Sequence, residues 1–125
     1  MTIFIIIIEA LLALIALASG GSKLAGMQMH VDHFKNLYHY PDWMRVATGA
    51  AEVLGGIGMV IGIWIPGIAG LAGLWLTAIM LGALYTEAFR VGGWKAIAQP
   101  ILPLALAIIV AVYQWPEIMQ LLGLG

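Results

Sequence analysis

Residues 45–67 read RVATGAAEVLGGIGMVIGIWIPG, a long apolar run that carries one carboxylate, Glu52, and stops at a Pro-Gly pair. A helix crossing a bilayer needs about 20 mostly apolar residues, and this stretch supplies them over residues 45–64. It lacks the residue-by-residue alternation of a barrel strand, so a helix is the only form that satisfies its backbone in lipid. Pro66 ends that helix and Gly67 is expected to supply the positive φ of a tight turn. The next apolar run, residues 67–86, then folds back as the second arm of an antiparallel hairpin.

Two further runs, residues 2–19 and 96–115, flank this hairpin. The first ends in ALASG, which looks like a cleavage site, but it has no basic n-region and contains Glu9, so it reads as a retained helix. Composition agrees: 63% of the 125 residues are hydrophobic and 9% are charged, against about 25% charged in a soluble domain. A net charge of −1 gives no nucleic-acid footprint, and the absence of cysteine excludes disulfides and thiolate metal sites. The expected fold is therefore an all-α membrane protein, a bundle of four transmembrane helices forming one domain over residues 1–125. An interfacial segment joins helices 1 and 2.

All five basic residues, Lys23, Lys35, Arg45, Arg90 and Lys95, lie in or beside the connections 20–44 and 87–95. The positive-inside rule places those connections in the cytoplasm and both termini outside a multi-pass cell-membrane protein.

Charged groups inside the spans are the candidates for function, because each costs on the order of 3 kcal/mol at mid-bilayer. Glu52 lies beside a smooth face made by Ala51, Gly55, Gly58 and Gly62. Such small-residue faces let helices approach closely, and Gly55/Gly58/Gly62 is the expected contact for a homo-oligomer or a larger membrane complex. Glu9 begins a stripe through Ala13, Ala16, Gly20 and Lys23 that should point into the bundle. Glu87 and Arg90, three residues apart, are placed to pair locally. Glu52 reads either as a structural ion-pair partner of Lys23 or Arg90, or as the centre of a ligand or proton site.

Three stretches, SGGSKLAG at 19–26, TGAAEVLGGIGMVIG at 48–62 and LGALYTEAFRVGG at 81–93, resemble the DoxX-like family of small four-helix membrane proteins. The resemblance implies that Lys23, Glu52 and Glu87 are recurring intramembrane polar positions. Where this chain has Thr86-Glu87, family members often carry a histidine, so a histidine-dependent role does not transfer. It also implies a membrane redox setting, since DoxX and its relatives are linked to quinone-coupled respiratory sulfur chemistry, while other relatives act as assembly factors.

The segment HVDHFKNLYHYPDW, residues 30–43, holds all three histidines and four of the twelve aromatic residues. The spacing of His30 and His33 suits one helical turn, but no HExxH logic accompanies it and no metal site is expected. A quinone-like headgroup needs aromatic faces and titratable donors at the membrane interface. Phe34, Tyr38 and Trp43 would form the mouth of such a site. His30 and His33 would cap a polar core of Lys23, Glu52, Glu87 and Arg90, with Glu9 deeper in the membrane. An interfacial amphipathic helix explains the same residues without a ligand.

The preferred reading is a small subunit binding a quinone or another lipophilic molecule in a membrane redox context, with the lipid bilayer as its surroundings. The alternatives are a non-enzymatic assembly factor or scaffold, and passage of a proton or small solute along the intramembrane carboxylates. No residue is assigned a catalytic role.

Overall fold

The computed structural model describes residues 2–37, 40–92 and 94–123. Its described residues form helices and short connections. The long helices are α1 (Thr2–Leu24), α3 (Asp42–Gly62), α4 (Pro66–Thr86) and α5 (Trp94–Tyr113). Two short helices, α2 (Gln28–Asp32) and α6 (Trp115–Leu121), follow α1 and α5 respectively. α1, α3 and α4 each contain a stretch long and apolar enough to cross a membrane, and the bent pair α5–α6 makes a fourth. The expected all-α membrane bundle is what forms.

α3 packs between α1 and α4, α4 packs on α5 and α6, and α1 reaches α5 to close the bundle. The core lies toward the α3–α4 turn, where Leu12, Met59, Leu76 and Val110 are completely buried among Ala13, Ala69, Ala72 and Ala107. Large apolar side chains such as Phe4, Leu14, Leu54, Leu81 and Val112 remain exposed. In a membrane they face lipid, which is as apolar as they are.

Glycine contacts set how close the helices come. A Cβ on Gly20 would lie 2.6 Å from the Gly49 carbonyl oxygen, so α1 and α3 meet backbone to backbone. Gly62 does the same for α3 on α4, since a Cβ there would lie 2.4 Å from the Ala69 backbone, while Gly55 makes room for the Leu76 side chain, 2.5 Å from a Cβ at that position. Of the Gly55/Gly58/Gly62 face, expected as an intermolecular contact, Gly55 and Gly62 are therefore taken up inside the chain by α4, while Gly58 is half-buried. Spacing alone could not distinguish the two, because a smooth ridge fits a neighbour in the same chain as well as one from another.

Gly67 also differs from expectation. The turn is made by Ile63–Ile65 with Pro66 in the first turn of α4, where a missing N–H costs nothing. Gly67 is helical and lies under α6, with a Cβ there 2.9 Å from the Glu117 carbonyl oxygen. Gly70 and Gly73 continue this seam against Ile118 and Ala111.

The span boundaries also move, most at two places. α1 continues past Ser19 to Leu24, where a Schellman cap closes it. Gly26 has φ of 72°, its N–H bonds the Lys23 carbonyl at 3.2 Å, and the Met27 N–H bonds the Ser22 carbonyl at 3.3 Å. The fourth span does not run straight to Trp115: α5 breaks at Gln114 and α6 leaves at 59°. Pro116 causes this, since its ring would collide with the carbonyl of Val112 in a continuous helix.

Candidate functional site

The glycine seam holds α3 and α4 together near their shared turn, and toward the opposite end of the bundle there is a cavity of about 840 Å³. Helices α1, α3, α4 and α5 all contribute to it, from Leu12 at its inner end to Phe34, Tyr40 and Glu87. Most of its lining is apolar, including Met44, Ile79 and Met80. Pro100, Leu102 and Pro103 form the α5 wall. Each proline deprives the carbonyl four residues earlier of its helical donor, which weakens α5 where it borders the empty space.

Lys23 and Glu52 are the charged pair in this wall. Lys23 occupies the last turn of α1, where a lysine normally carries its ammonium outward to the interface. Here the side chain follows the N-terminal tilt of the helical Cα–Cβ bond back into the bundle. Gly49 makes room for it, since a Cβ there would lie 2.9 Å from Lys23 Cβ. Lys23 Nζ donates to Ser19 Oγ, one turn back, at 2.6 Å, and meets Glu52 Oε1 at 2.9 Å. The lysine side chain is 12% exposed and that of Glu52 only 3%.

Glu52 Oε2 is buried and, among the described residues, has no hydrogen-bond partner. A buried acceptor left in that condition costs about 1–3 kcal/mol. Around this atom the backbone is well fixed. Trp75 Nε1 donates to the Ala51 carbonyl at 2.9 Å and ties α4 to α3 beside the glutamate. Arg45, itself buried, donates from its guanidinium to the Lys23 carbonyl and so places a cation at the C-terminal end of α1.

The connection between α1 and α3 reaches the cavity through Phe34 and Tyr40. Residues His33–Leu37 form a π-helical turn, and a second one, Glu87–Val91, extends α4. π-helical turns recur at functional sites because they redirect a side chain by one residue. Phe34 is buried, with its ring 6.3 Å from that of Tyr40. Tyr40 Oη and Thr86 Oγ1 share a hydrogen bond of 3.0 Å, which fastens the connection to the end of α4. Glu87, next in sequence, is buried and lines the cavity.

Of the expected polar core, Lys23, Glu52 and Glu87 thus meet at one cavity, and Phe34 of the aromatic mouth joins them. Trp43 does not: it is 67% exposed and absent from the lining. Tyr40 stands where a second aromatic was sought. Tyr38 lies outside the described residues, as do the side chains of His30, His33 and Arg90. Glu9 is buried away from the cavity, where Gln114 Nε2 donates to its Oε1 at 3.0 Å across 105 residues of sequence. Its stripe through Ala13, Ala16 and Gly20 does face the bundle interior.

Sequence reasoning missed Ser19, Tyr40, Arg45, Thr86 and Gln114 as members of these networks. Ser19 had a signal, since it lies four residues before Lys23 on the same helix face. Gln114 had one too, as an amide within an otherwise apolar run.

A family model for the DoxX-like family matches residues 7–110. The chain belongs to the DoxX-like family. That range holds every residue lining the cavity and ends before Gln114 and α6, so the Glu9–Gln114 bond joins a matched residue to one beyond it. Neither the curated proteins nor the solved structures gave a match to this DoxX-like chain.

Proposed function

We propose that this DoxX-like protein binds a lipophilic small molecule with a polar headgroup, of the quinone class, as a small subunit in a membrane redox context. The observation that carries the proposal is the buried Lys23–Glu52 pair among the residues lining an apolar cavity of about 840 Å³, with Glu52 Oε2 unpartnered among the described residues. Ligand pockets typically span about 300–1,000 Å³, are mostly apolar, and hold a few placed polar groups. Lys23 and Glu52 are such groups, and Phe34 and Tyr40 offer ring faces at the interfacial end. The scaffold reading relied on a free Gly55/Gly58/Gly62 face, and α4 occupies Gly55 and Gly62 of that face.

The test is gentle solubilisation, extraction and mass spectrometry of wild type beside Glu52→Gln, followed by titration with a decyl-substituted quinone. A stoichiometric lipophile in wild type, lost in the variant while its melting temperature stays near wild type, supports the reading. Absence of any specific molecule, with no binding of the added probe, defeats it.

In this reading the connections 20–44 and 87–95 face the cytoplasm and both termini lie outside, as the five basic residues imply. The chain has no cysteine, so Lys35→Cys and Thr2→Cys each create a unique label site. An impermeant maleimide added outside intact cells should label the second and spare the first; the opposite pattern reverses the orientation.

A further inference from the structure

We propose that the cavity selects a headgroup bearing a hydroxyl hydrogen, a hydroquinone or phenol, over one that offers only a carbonyl oxygen. This rests on the reading of the cavity as a ligand site and specifies the chemical state it takes. Glu52 carries two oxygens, of which Oε1 is committed to Lys23 and Oε2 is buried without a partner. An ionised carboxylate accepts and cannot donate. Whatever satisfies Oε2 must therefore bring a donor.

Lys23 completes the requirement. An ammonium has three N–H donors, and among the described residues two are taken, by Ser19 Oγ and Glu52 Oε1. Oε2 is covered by its surroundings, so the carboxylate turns about its terminal torsion as the ligand seats. One hydroxyl group against the pair then donates its hydrogen to Glu52 Oε2 and accepts from Lys23 Nζ through its lone pair. A carbonyl oxygen accepts from the lysine equally well, but it turns a second lone pair toward the carboxylate. In a cavity walled by Leu76, Ile79, Pro100 and Pro103, the low polarity of the walls strengthens the repulsion between those two oxygens.

Hydrogen bonds to charged groups are among the strongest a protein makes, so the donor should be worth about tenfold or more in affinity. No bond in the ligand changes in this step; the pair discriminates by hydrogen-bond polarity alone.

The experiment uses the full chain in detergent micelles under anaerobic conditions and three probes with the same decyl tail. These are a benzoquinone, the hydroquinone obtained by reducing it, and the dimethyl ether of that hydroquinone. Dissociation constants come from calorimetric titration. Wild type should bind the hydroquinone about tenfold or more tighter than either of the others. In Glu52→Gln the preference should vanish or reverse, because the amide N–H donates to a carbonyl. Equal binding of hydroquinone and quinone by wild type overturns the selectivity and leaves the ligand site standing. Tighter binding of the ether than of the hydroquinone does the same. If none of the three binds, the ligand site itself falls. The wild-type comparison is decisive even if Glu52→Gln does not fold.

Discussion

Replacing Lys23 by methionine removes the only counter-charge in contact with Glu52 among the described residues. The carboxylate is 3% exposed, and one oxygen already lacks a partner, so the change leaves both oxygens unpaired in an apolar wall. Breaking a buried ion pair from one side typically costs about 3–5 kcal/mol, because the remaining charge has no compensation. Glu52→Leu alone should cost less, since the lysine keeps Ser19 and has a stem long enough to carry its ammonium toward the interface. The double variant Lys23→Met with Glu52→Leu should return to within about 1 kcal/mol of wild type, as apolar replacements of buried pairs commonly do. Equilibrium unfolding in mixed micelles, run as a double-mutant cycle, measures this as a coupling energy of about 3 kcal/mol or more. A loss below about 1 kcal/mol for Lys23→Met would refute the reasoning, because Glu52 would then be stabilised by water in the cavity. The stable double variant also separates two roles: it should keep its fold and lose headgroup binding.

Two further changes test the packing described above. Gly62→Ala drives a methyl into the Ala69 backbone at 2.4 Å and should cost about 2–3 kcal/mol. Gly21→Ala meets nothing within 4 Å and should stabilise by about 0.5 kcal/mol, both read from thermal melts. Gln114→Leu takes the amide from buried Glu9 and should cost about 1–3 kcal/mol. Glu9→Gln, which keeps a side-chain acceptor for Gln114 Nε2, should be nearly neutral in the same measurement.

The spans were legible because composition dictates them: a chain this apolar has to satisfy its backbone within helices. The inward stripe from Glu9 to Lys23 was legible as well, since small residues at helical spacing leave no other face for the charges. What lay beyond sequence was the use to which each feature is put. Gly67 follows a proline, which suggested a turn, yet it serves as a landing place for α6, a helix more than forty residues further along. Gly55 and Gly62 offered a smooth ridge, and only the path of α4 decides that the chain covers it itself. The Lys23–Glu52 pair was one of two partnerships the sequence allowed. Its choice depends on Gly20 and Gly49 bringing α1 and α3 into backbone contact, which places the ammonium 2.9 Å from the carboxylate. Trp43 misled because an aromatic at a membrane interface serves lipid as readily as a ligand.

The Lys23–Glu52 pair also has a bearing on how the protein is made. α3 is the least apolar of the three long spans, and it carries Glu52 into lipid at an insertion cost on the order of 3 kcal/mol. Synthesis delivers α1 first, so the lysine that neutralises Glu52 is already at the membrane when α3 leaves the ribosome. The seam of Gly20 against Gly49 lets the newcomer dock without rearranging its predecessor. For this pair the counter-charge precedes the charge it serves, whereas Glu9 in the first helix waits for Gln114, 105 residues later.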